Sequence, residues 1–231
     1  MSPIIYIASY PRSGNTFFRK VLLDCFGHQS YSIYDEPGLL GGYVGDAKLS
    51  NDEGPVFVKN HDMSPAWDIR RRVIYIVRDG RDALVSHARF IEAQDDKGAP
   101  YYEILKKLIE GRMPSPHAGE YWQHWGKHVT AYHNRLANMA VIHFEDLIQE
   151  PVNIVGKAIK AVGVDTYANS VAPPKFEEMR DWMPGLHRRG EVGSYKDEMT
   201  DALHDLFWEY HGEGMAKAGY HKENAMQEAM V

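Results

Sequence analysis

The sequence contains a single cysteine, Cys25, so no disulfide can form within the chain. A lone thiol is typical of a reducing compartment, and we expect a cytoplasmic protein. No stretch approaches the roughly 20 apolar residues of a membrane-spanning helix, so no membrane span is expected. Positive charge is not in excess either, because the formal net charge is −6. Binding to nucleic-acid phosphates needs a basic face, so nucleic acid is not expected as a partner.

What the sequence does contain is an alternation of apolar and helical segments. Four short, β-branched apolar runs occupy residues 4–8, 56–58, 73–77 and 139–143. They are nearly continuous rather than alternating, which is typical of parallel strands covered on both faces. Segments with helical periodicity separate them, so the sequence predicts an α/β fold with a parallel sheet. We expect one domain over residues 1–231.

Two stretches fit this alternation poorly. Residues 38–55 are rich in Gly, Asp and Asn, and residues 94–119 carry Pro100, Pro114 and Pro116. Long irregular segments in a compact domain are typical of lids and substrate loops, which is what we expect here. A surface insertion without a role is the alternative.

The loop Ser9–Thr16 follows the first predicted strand and opens a helix. Backbone N–H groups at a helix start converge on one point, where the helix dipole favours an anion. Gly14 lets the main chain approach closely, Arg12 adds a full charge, and Ser13 and Thr16 add hydroxyl donors. The Gly-x-x-x-x-Gly-Lys-Ser/Thr pattern of a Walker A loop is absent. The loop therefore predicts an anion site, with an ordinary strand–turn–helix connection as the alternative.

Other polar side chains follow two further predicted strands. Arg78 comes directly after residues 73–77, and Ser86 lies two turns into the next helix. Lys59 and His61 follow another strand, and His is the side chain most suited to taking a proton near neutral pH. Ligands of open α/β sheets lie at the carboxyl ends of the strands, so we expect these groups to face one crevice. Taken singly, the Arg-Asp pairs around Arg78 also fit an ordinary charged surface.

A fourth segment, Arg188–Lys196, is basic and punctuated by glycines. Such a loop is suited to wrapping a phosphate, although by itself it indicates little more than a flexible turn.

In this order and spacing, the four segments resemble the sulfotransferases that use 3′-phosphoadenosine-5′-phosphosulfate (PAPS). Tyr10–Thr16 resembles the family's 5′-phosphosulfate loop, and Arg78 with Ser86 its 3′-phosphate motif. Arg188–Gly190 is similar to the Arg-Lys-Gly that closes over that phosphate. His143–Leu147 resembles the family's Tyr-Glu-Asp-Leu segment. The resemblance extends over nearly the whole chain.

This resemblance implies a P-loop-like, three-layer α/β/α fold around a central parallel sheet of four to five strands. It implies transfer of a sulfuryl group from PAPS to the hydroxyl of a small-molecule acceptor, a small alcohol, phenol, sugar or lipid, by in-line displacement. The product is 3′,5′-adenosine bisphosphate, and no metal is required. His61 is then the general base, Lys59 a second catalytic residue, and Arg12 the cation that stabilises the bridging oxygen.

The resemblance also implies a set of donor-binding residues, in which Phe17 and Phe176 flank the adenine. The full set is Arg12, Ser13, Gly14, Asn15, Thr16, Phe17, Arg78, Ser86, Phe144, Phe176, Arg188, Arg189 and Gly190.

Three positions depart from the family pattern. Arg12 replaces a lysine, which keeps the charge but offers a planar fork instead of a point charge. Phe144 lacks the hydroxyl of the usual Tyr, and Pro174 stands where a Thr often contacts adenine.

Two other function classes stay open at this level. One is a P-loop-like nucleotide kinase, against which the missing Walker A lysine counts. The other is a non-catalytic nucleotide-binding module, against which the presence of both Lys59 and His61 counts. The sequence leaves the acceptor and the oligomeric state open.

Overall fold

The strands of the computed structural model form one parallel sheet in the order β2-β3-β1-β4-β5. The structure describes residues 3–32, 34, 54–62, 71–94, 98–114, 124–134, 138–175, 178–179, 181 and 190–222. The strands are β1 (Ile4–Ser9), β2 (Ser30–Ser32), β3 (Val56–Asn60), β4 (Arg72–Val77) and β5 (Met139–His143). In register, Ile7 of β1 lies opposite Lys59 of β3 and Ile74 of β4. The predicted parallel sheet is confirmed.

Helices connect the strands and cover the sheet. They are α1 (Asn15–Phe26), α2 (Gly80–Glu92), α3 (Tyr101–Ile109), α4 (Trp125–His133), α5 (Phe144–Gln149), α6 (Pro151–Ala161), α7 (Tyr195–Glu198) and α8 (Asp201–Lys217). Among the helices that the structure describes, none has the length and apolar character needed to cross a bilayer.

The side chains of the central strands alternate between two cores. In β4, Val73, Tyr75 and Val77 join the core formed with α2, α3, α4 and α8. Ile74 and Ile76 join the core formed with α1 and α6. Because each strand is covered on both faces, its apolar residues form a continuous run. The two cores make the three layers of the predicted α/β/α fold.

The strand order places a topological switch point between β1 and β4. The chain leaves β1 toward β2 on one side of the sheet, and leaves β4 toward β5 on the other. Connections that diverge in this way open a crevice at the carboxyl ends of the two strands, where α/β proteins bind ligands. Residues 10–14 and Arg78 follow these two strand ends, and His61 follows β3 next to them.

Two elements differ from the sequence expectation. β2 is missed because Ser30–Ser32 has no apolar run. The segment 94–119 is not irregular throughout, because it contains α3, whose Ile104, Leu105, Leu108 and Ile109 are buried. Pro100 is the N-cap of α3, so this proline marks a helix start rather than a loop. Residues 38–53, most of the other expected loop, lie outside the described residues, and the lid role of both segments stays a prediction.

Candidate functional site

The loop between β1 and α1 is held in an unusual backbone conformation. Arg12 has φ 67° and Gly14 has φ 96°, both in the left-handed region. A non-glycine residue there costs about 1–3 kcal/mol and is found mainly where function requires it. A Cβ on Gly14 would lie 2.5 Å from a ring carbon of Phe144, so glycine alone fits between the loop and this ring. Gly14 also caps α1 without a side-chain hydrogen bond.

Asn15 ties the start of α1 back to the sheet. Its Nδ2 donates to the carbonyl oxygen of Ile7 at 3.0 Å and to Ser9 Oγ at 3.3 Å. The side chain is buried, so it stabilises the shape of the loop from behind. Asn15 is a predicted donor-binding residue whose side chain the structure directs inward to β1.

Arg12, Ser86 and Arg78 meet over the crevice. Arg12 Nε lies 3.4 Å from Ser86 Oγ on α2. Arg78 Nη1 donates to the carbonyl oxygen of Arg12 at 3.1 Å. The Arg78 guanidinium also lies over the ring of Phe144, 4.4 Å from its centroid, a favourable cation–π contact. The first and second sequence motifs, 66 residues apart at this contact, therefore share one local structure.

The part of the fourth motif that begins at Gly190 lies against Arg78. Arg78 Nη2 donates to the carbonyl oxygen of Glu191 at 2.9 Å. Asp82 fixes the continuation of this segment: its carboxylate accepts from the backbone N–H of Gly193 at 2.7 Å and of Tyr195 at 2.9 Å. It also accepts from Ser194 Oγ at 3.1 Å.

Among the described residues, three buried polar atoms of the loop and of Arg78 lack a hydrogen-bond partner: Ser13 Oγ, Asn15 Oδ1 and Arg78 Nε. Ser13 is 1% exposed and Arg78 is 6% exposed. Burial of an unpaired polar atom costs about 1–3 kcal/mol, so native structures rarely keep one without a reason. Ser13 Oγ and Arg78 Nε can donate, and an anionic ligand would satisfy both of these atoms.

His61 lies where β3 meets the end of β1. Its Nδ1 is 2.8 Å from the carbonyl oxygen of Ser9 and 3.3 Å from Ser9 Oγ. A carbonyl oxygen only accepts, so we infer that Nδ1 carries the proton and Nε2 does not. Burial, followed by the charge of Lys59, lowers the pKa of His61 well below its ordinary value. The ring is therefore neutral near pH 7, the state in which Nε2 accepts a proton.

Lys59 and Tyr34 complete the surroundings of His61. Tyr34 stacks on the imidazole with ring centroids 5.6 Å apart. Lys59 Nζ lies 5.8 Å from the centroid of the same tyrosine ring. Phe90 packs under Arg12, whose guanidinium carbon is 4.8 Å from the ring centroid. The charged groups of Arg12 and Lys59 therefore each lie over an aromatic ring.

The remaining predicted residues divide into two groups. Thr16 lies in the first turn of α1 and is half-buried, and Phe17 is buried in the core beneath it. Gly190 has φ 66° and directly precedes the carbonyl that Arg78 contacts. Phe176, Arg188 and Arg189 lie outside the described residues.

Sequence reasoning missed one residue that shapes the site. Asp82 carries a visible signal, because it falls within the Arg78–Ser86 motif, but its partners are more than 100 residues away.

Comparison with known proteins identifies the family of this chain. The family model described as "Sulfotransferase domain" matches residues 2–219. Mouse sulfotransferase 1E1 is 22% identical over 91% of this chain and 83% of its own length. Cytosolic sulfotransferase 1 of Danio rerio is 23% identical over 93% of this chain and 83% of its own.

Solved structures share the fold. Mouse sulfotransferase SULT7A1, complexed with PAP, gives a TM-score of 0.68 at 19% identity, covering 92% of this chain and 84% of that one. A retinol dehydratase in complex with retinol and PAP gives a TM-score of 0.64 at 16% identity, covering 93% and 82%. With a family model that spans nearly the whole chain, the motif-based prediction is confirmed, and the chain belongs to the sulfotransferase family.

Proposed function

We propose that this enzyme transfers a sulfuryl group from PAPS to the hydroxyl of a small-molecule acceptor, with His61 as the general base. The observation that carries the proposal is the convergence of Arg12, Arg78 and a neutral His61 at the switch point of the sheet. Transfer of the sulfuryl group from PAPS releases 3′,5′-adenosine bisphosphate. This leaving group carries several negative charges and needs positive charge around it.

The donor is held between two parts of the site. The Ser9–Thr16 loop directs backbone N–H groups and Ser13 Oγ toward the 5′ side. Arg78 and Ser86 bind the 3′-phosphate, and Arg78 Nε finds its missing acceptor there. The carboxylate of Asp82 keeps the segment after Gly190 folded against this end. Phe176, Arg188 and Arg189 stay predicted donor contacts.

His61 takes the proton of the acceptor hydroxyl at Nε2. Its Nδ1–H bond to the Ser9 carbonyl directs Nε2 away from β1. The same bond favours the imidazolium that forms when the proton arrives, because the carbonyl dipole faces it. A positioned base of this kind accelerates transfer by roughly 10²–10⁴.

Arg12 and Lys59 stabilise the negative charge that develops on the leaving phosphate. Arg12 belongs to the loop itself, and Lys59 lies on β3, two residues before the base. Preorganised donors of this type each contribute about 10²–10³ in rate. Arg12 is already anchored by Ser86 and Phe90, so little reorganisation is needed when charge develops.

The acceptor lies beside His61 and Tyr34, whose ring stacks on the imidazole. Apolar rings beside the base suit an alcohol or phenol with an apolar body. The complexes of retinol dehydratase with retinol and with androsterone support small apolar molecules as acceptors for this site.

A ligand-dependent thermal shift tests the donor. 3′,5′-Adenosine bisphosphate at 100 times its Kd should stabilise the protein by about 2.7 kcal/mol, whereas ATP with Mg²⁺ should give a small shift. Stabilisation by ATP with Mg²⁺ alone would contradict the proposal.

Turnover of His61→Ala tests the base. Labelled PAPS is first screened against alcohols, phenols, sugars and lipid headgroups to find the best acceptor. His61→Ala should then lose roughly 10²–10⁴ in kcat while binding the bisphosphate as the unaltered protein does. His221→Ala, at an exposed position, is the matched control. Full turnover by His61→Ala would remove His61 from the mechanism.

A further inference from the structure

The imidazole of His128 lies behind the backbone of His61 and has no part in the reaction described above. It belongs to α4 and is completely buried. Its Nε2 is 3.1 Å from the carbonyl oxygen of His61, and its Nδ1 is 2.9 Å from Tyr75 Oη. Because the carbonyl only accepts, Nε2 carries the proton and Nδ1 accepts from the tyrosine hydroxyl. A hydrogen-bonded chain of defined direction thus connects β4 to the backbone of the base.

α4 holds the next carbonyl in the same way. Tyr132 lies four residues after His128, on the same face of the helix, and its hydroxyl donates to the carbonyl oxygen of Asp62 at 2.8 Å. The Tyr132 ring stacks on Tyr75 with centroids 4.2 Å apart, which fixes both rings. Two successive carbonyls after β3 are therefore bound by side chains one helical turn apart.

The N–H of His61 is also occupied, because it donates to Tyr34 Oη at 2.7 Å. Both backbone groups of this residue are thus bonded to side chains, from opposite directions. With the backbone held, the remaining freedom of the imidazole is rotation of its side chain. The bond from Nδ1 to the Ser9 carbonyl selects one orientation.

We propose that His128 is a positioning residue for the general base: its Nε2–H holds the His61 carbonyl so that the imidazole keeps Nδ1 on Ser9 and Nε2 toward the acceptor. This inference rests on the proposed role of His61. Burial lowers the pKa of His128 to about 3. The residue is therefore neutral over the physiological range, and its Nδ1 stays available to the Tyr75 hydroxyl.

The consequence for catalysis is a loss of rate without a loss of donor binding. A misplacement of about 1 Å in a reacting group costs on the order of 10²-fold in rate. His128→Leu should therefore lower kcat by about 10–100-fold. Affinity for 3′,5′-adenosine bisphosphate should stay unchanged, because Arg12 and Arg78 follow other strands. His128→Gln, whose amide N–H can take the place of Nε2–H, should restore most of the rate.

The orientation of His61 can be read directly from the ligand-free protein. In protein labelled with ¹⁵N-histidine, two-bond ¹H–¹⁵N spectra report which ring nitrogen carries the proton. The His61 signals are assigned by their loss in His61→Ala. Native protein and His128→Gln should show His61 protonated at Nδ1, and His128→Leu should show exchange between tautomers.

A matched control separates positioning from loss of any histidine contact. His143→Leu removes a comparable contact between a ring nitrogen and a carbonyl, that of His143 Nε2 with Ala218 at 2.9 Å. It should leave the His61 signals unchanged. If His128→Leu does not fold, Tyr75→Phe removes the hydroxyl that orients His128 while keeping the ring, and should shift the His61 signals in the same sense.

Unchanged His61 signals in a folded His128→Leu or Tyr75→Phe protein would overturn the inference. So would equal losses of kcat in His128→Leu and His128→Gln. Failure of the proposed function has a different signature, because His61→Ala would then turn over normally while the tautomer result stood.

Discussion

Acidification should destabilise this protein through two buried histidines, His87 and His128. His87 is 1% exposed and His128 is 0% exposed. Burial, with the charge of Arg12 as a further cause for His87, lowers the pKa of each to about 3. In the unfolded chain a histidine titrates near 6.5. Between pH 6.5 and pH 3 the unfolded state therefore binds protons that the native state does not, and stability falls as the pH falls.

The magnitude follows from the two pKa values. At pH 5 an unfolded histidine with a pKa of about 6.5 is almost fully protonated, whereas a native one with a pKa of about 3 is almost fully neutral. The free energy of unfolding drops by about 2 kcal/mol for each histidine between pH 7 and pH 5, or about 4 kcal/mol for the pair. This is a large share of the 5–15 kcal/mol typical of a folded domain.

Urea denaturation at pH 7, 6 and 5 measures this loss. Between pH 7 and pH 5, the free energy of unfolding of His87→Gln and of His128→Gln should each fall by about 2 kcal/mol less than that of the unaltered protein, because glutamine takes up no proton. His221→Gln, at an exposed position, should follow the unaltered protein. Parallel pH profiles for all four proteins would refute the reasoning.

Three further substitutions, one of them with a matched control, test the geometry of the site and the core. Asp82→Asn removes the charge of a carboxylate that accepts three hydrogen bonds. The affinity for 3′,5′-adenosine bisphosphate, measured by calorimetry, should fall by about tenfold or more. Gly14→Ala, with φ 96° and a Cβ 2.5 Å from the ring that covers it, should reduce both the thermal midpoint and bisphosphate affinity. Gly214→Ala places a Cβ 2.6 Å from the Cα of Gly126 and should cost about 1–3 kcal/mol in urea denaturation. Gly212→Ala, in the same helix with its nearest contact at 3.7 Å, should instead be neutral or stabilising by up to about 1 kcal/mol.

Each of these has a distinct contrary result. An Asp82→Asn protein that loses affinity equally for adenosine 5′-phosphate and the bisphosphate would show that Asp82 does not act through the 3′ end. Native bisphosphate affinity in Gly14→Ala would mean that the loop tolerates a side chain. Equal stabilities of the Gly214→Ala and Gly212→Ala proteins would mean that α4 and α8 do not limit each other's approach.

Much of the fold could be predicted because burial on both faces leaves a local signature. Continuous apolar runs occur in β1, β3 and β4, and also in the edge strand β5, where Val141 is nevertheless exposed. β2 lacks such a run because it is a short, polar strand at the edge of the sheet. α3 was missed because its flanking prolines resemble loop signals, although Pro100 is an N-cap.

The sequence by itself determined the residue types that the site needs, and their order. A glycine at 14, an arginine at 12 and a histidine after a buried strand are local facts, because strand ends and helix starts are set by neighbours in the chain. The family followed from these motifs in register, and it is confirmed.

Only the tertiary structure decided which groups meet and in what state. Arg78 reaches the carbonyl of Arg12 because β1 and β4 are adjacent in the sheet, which no local pattern encodes. The neutrality of His61 depends on its burial and on its distance from Lys59. Its Nε2 is left without the proton because Nδ1 donates to the carbonyl oxygen of Ser9, 52 residues away in the chain. The contact between His128 Nε2 and the His61 carbonyl exists because α4 packs against one face of the sheet. Charge, tautomer and orientation are properties of contacts between distant segments, so they arise only once the chain is folded.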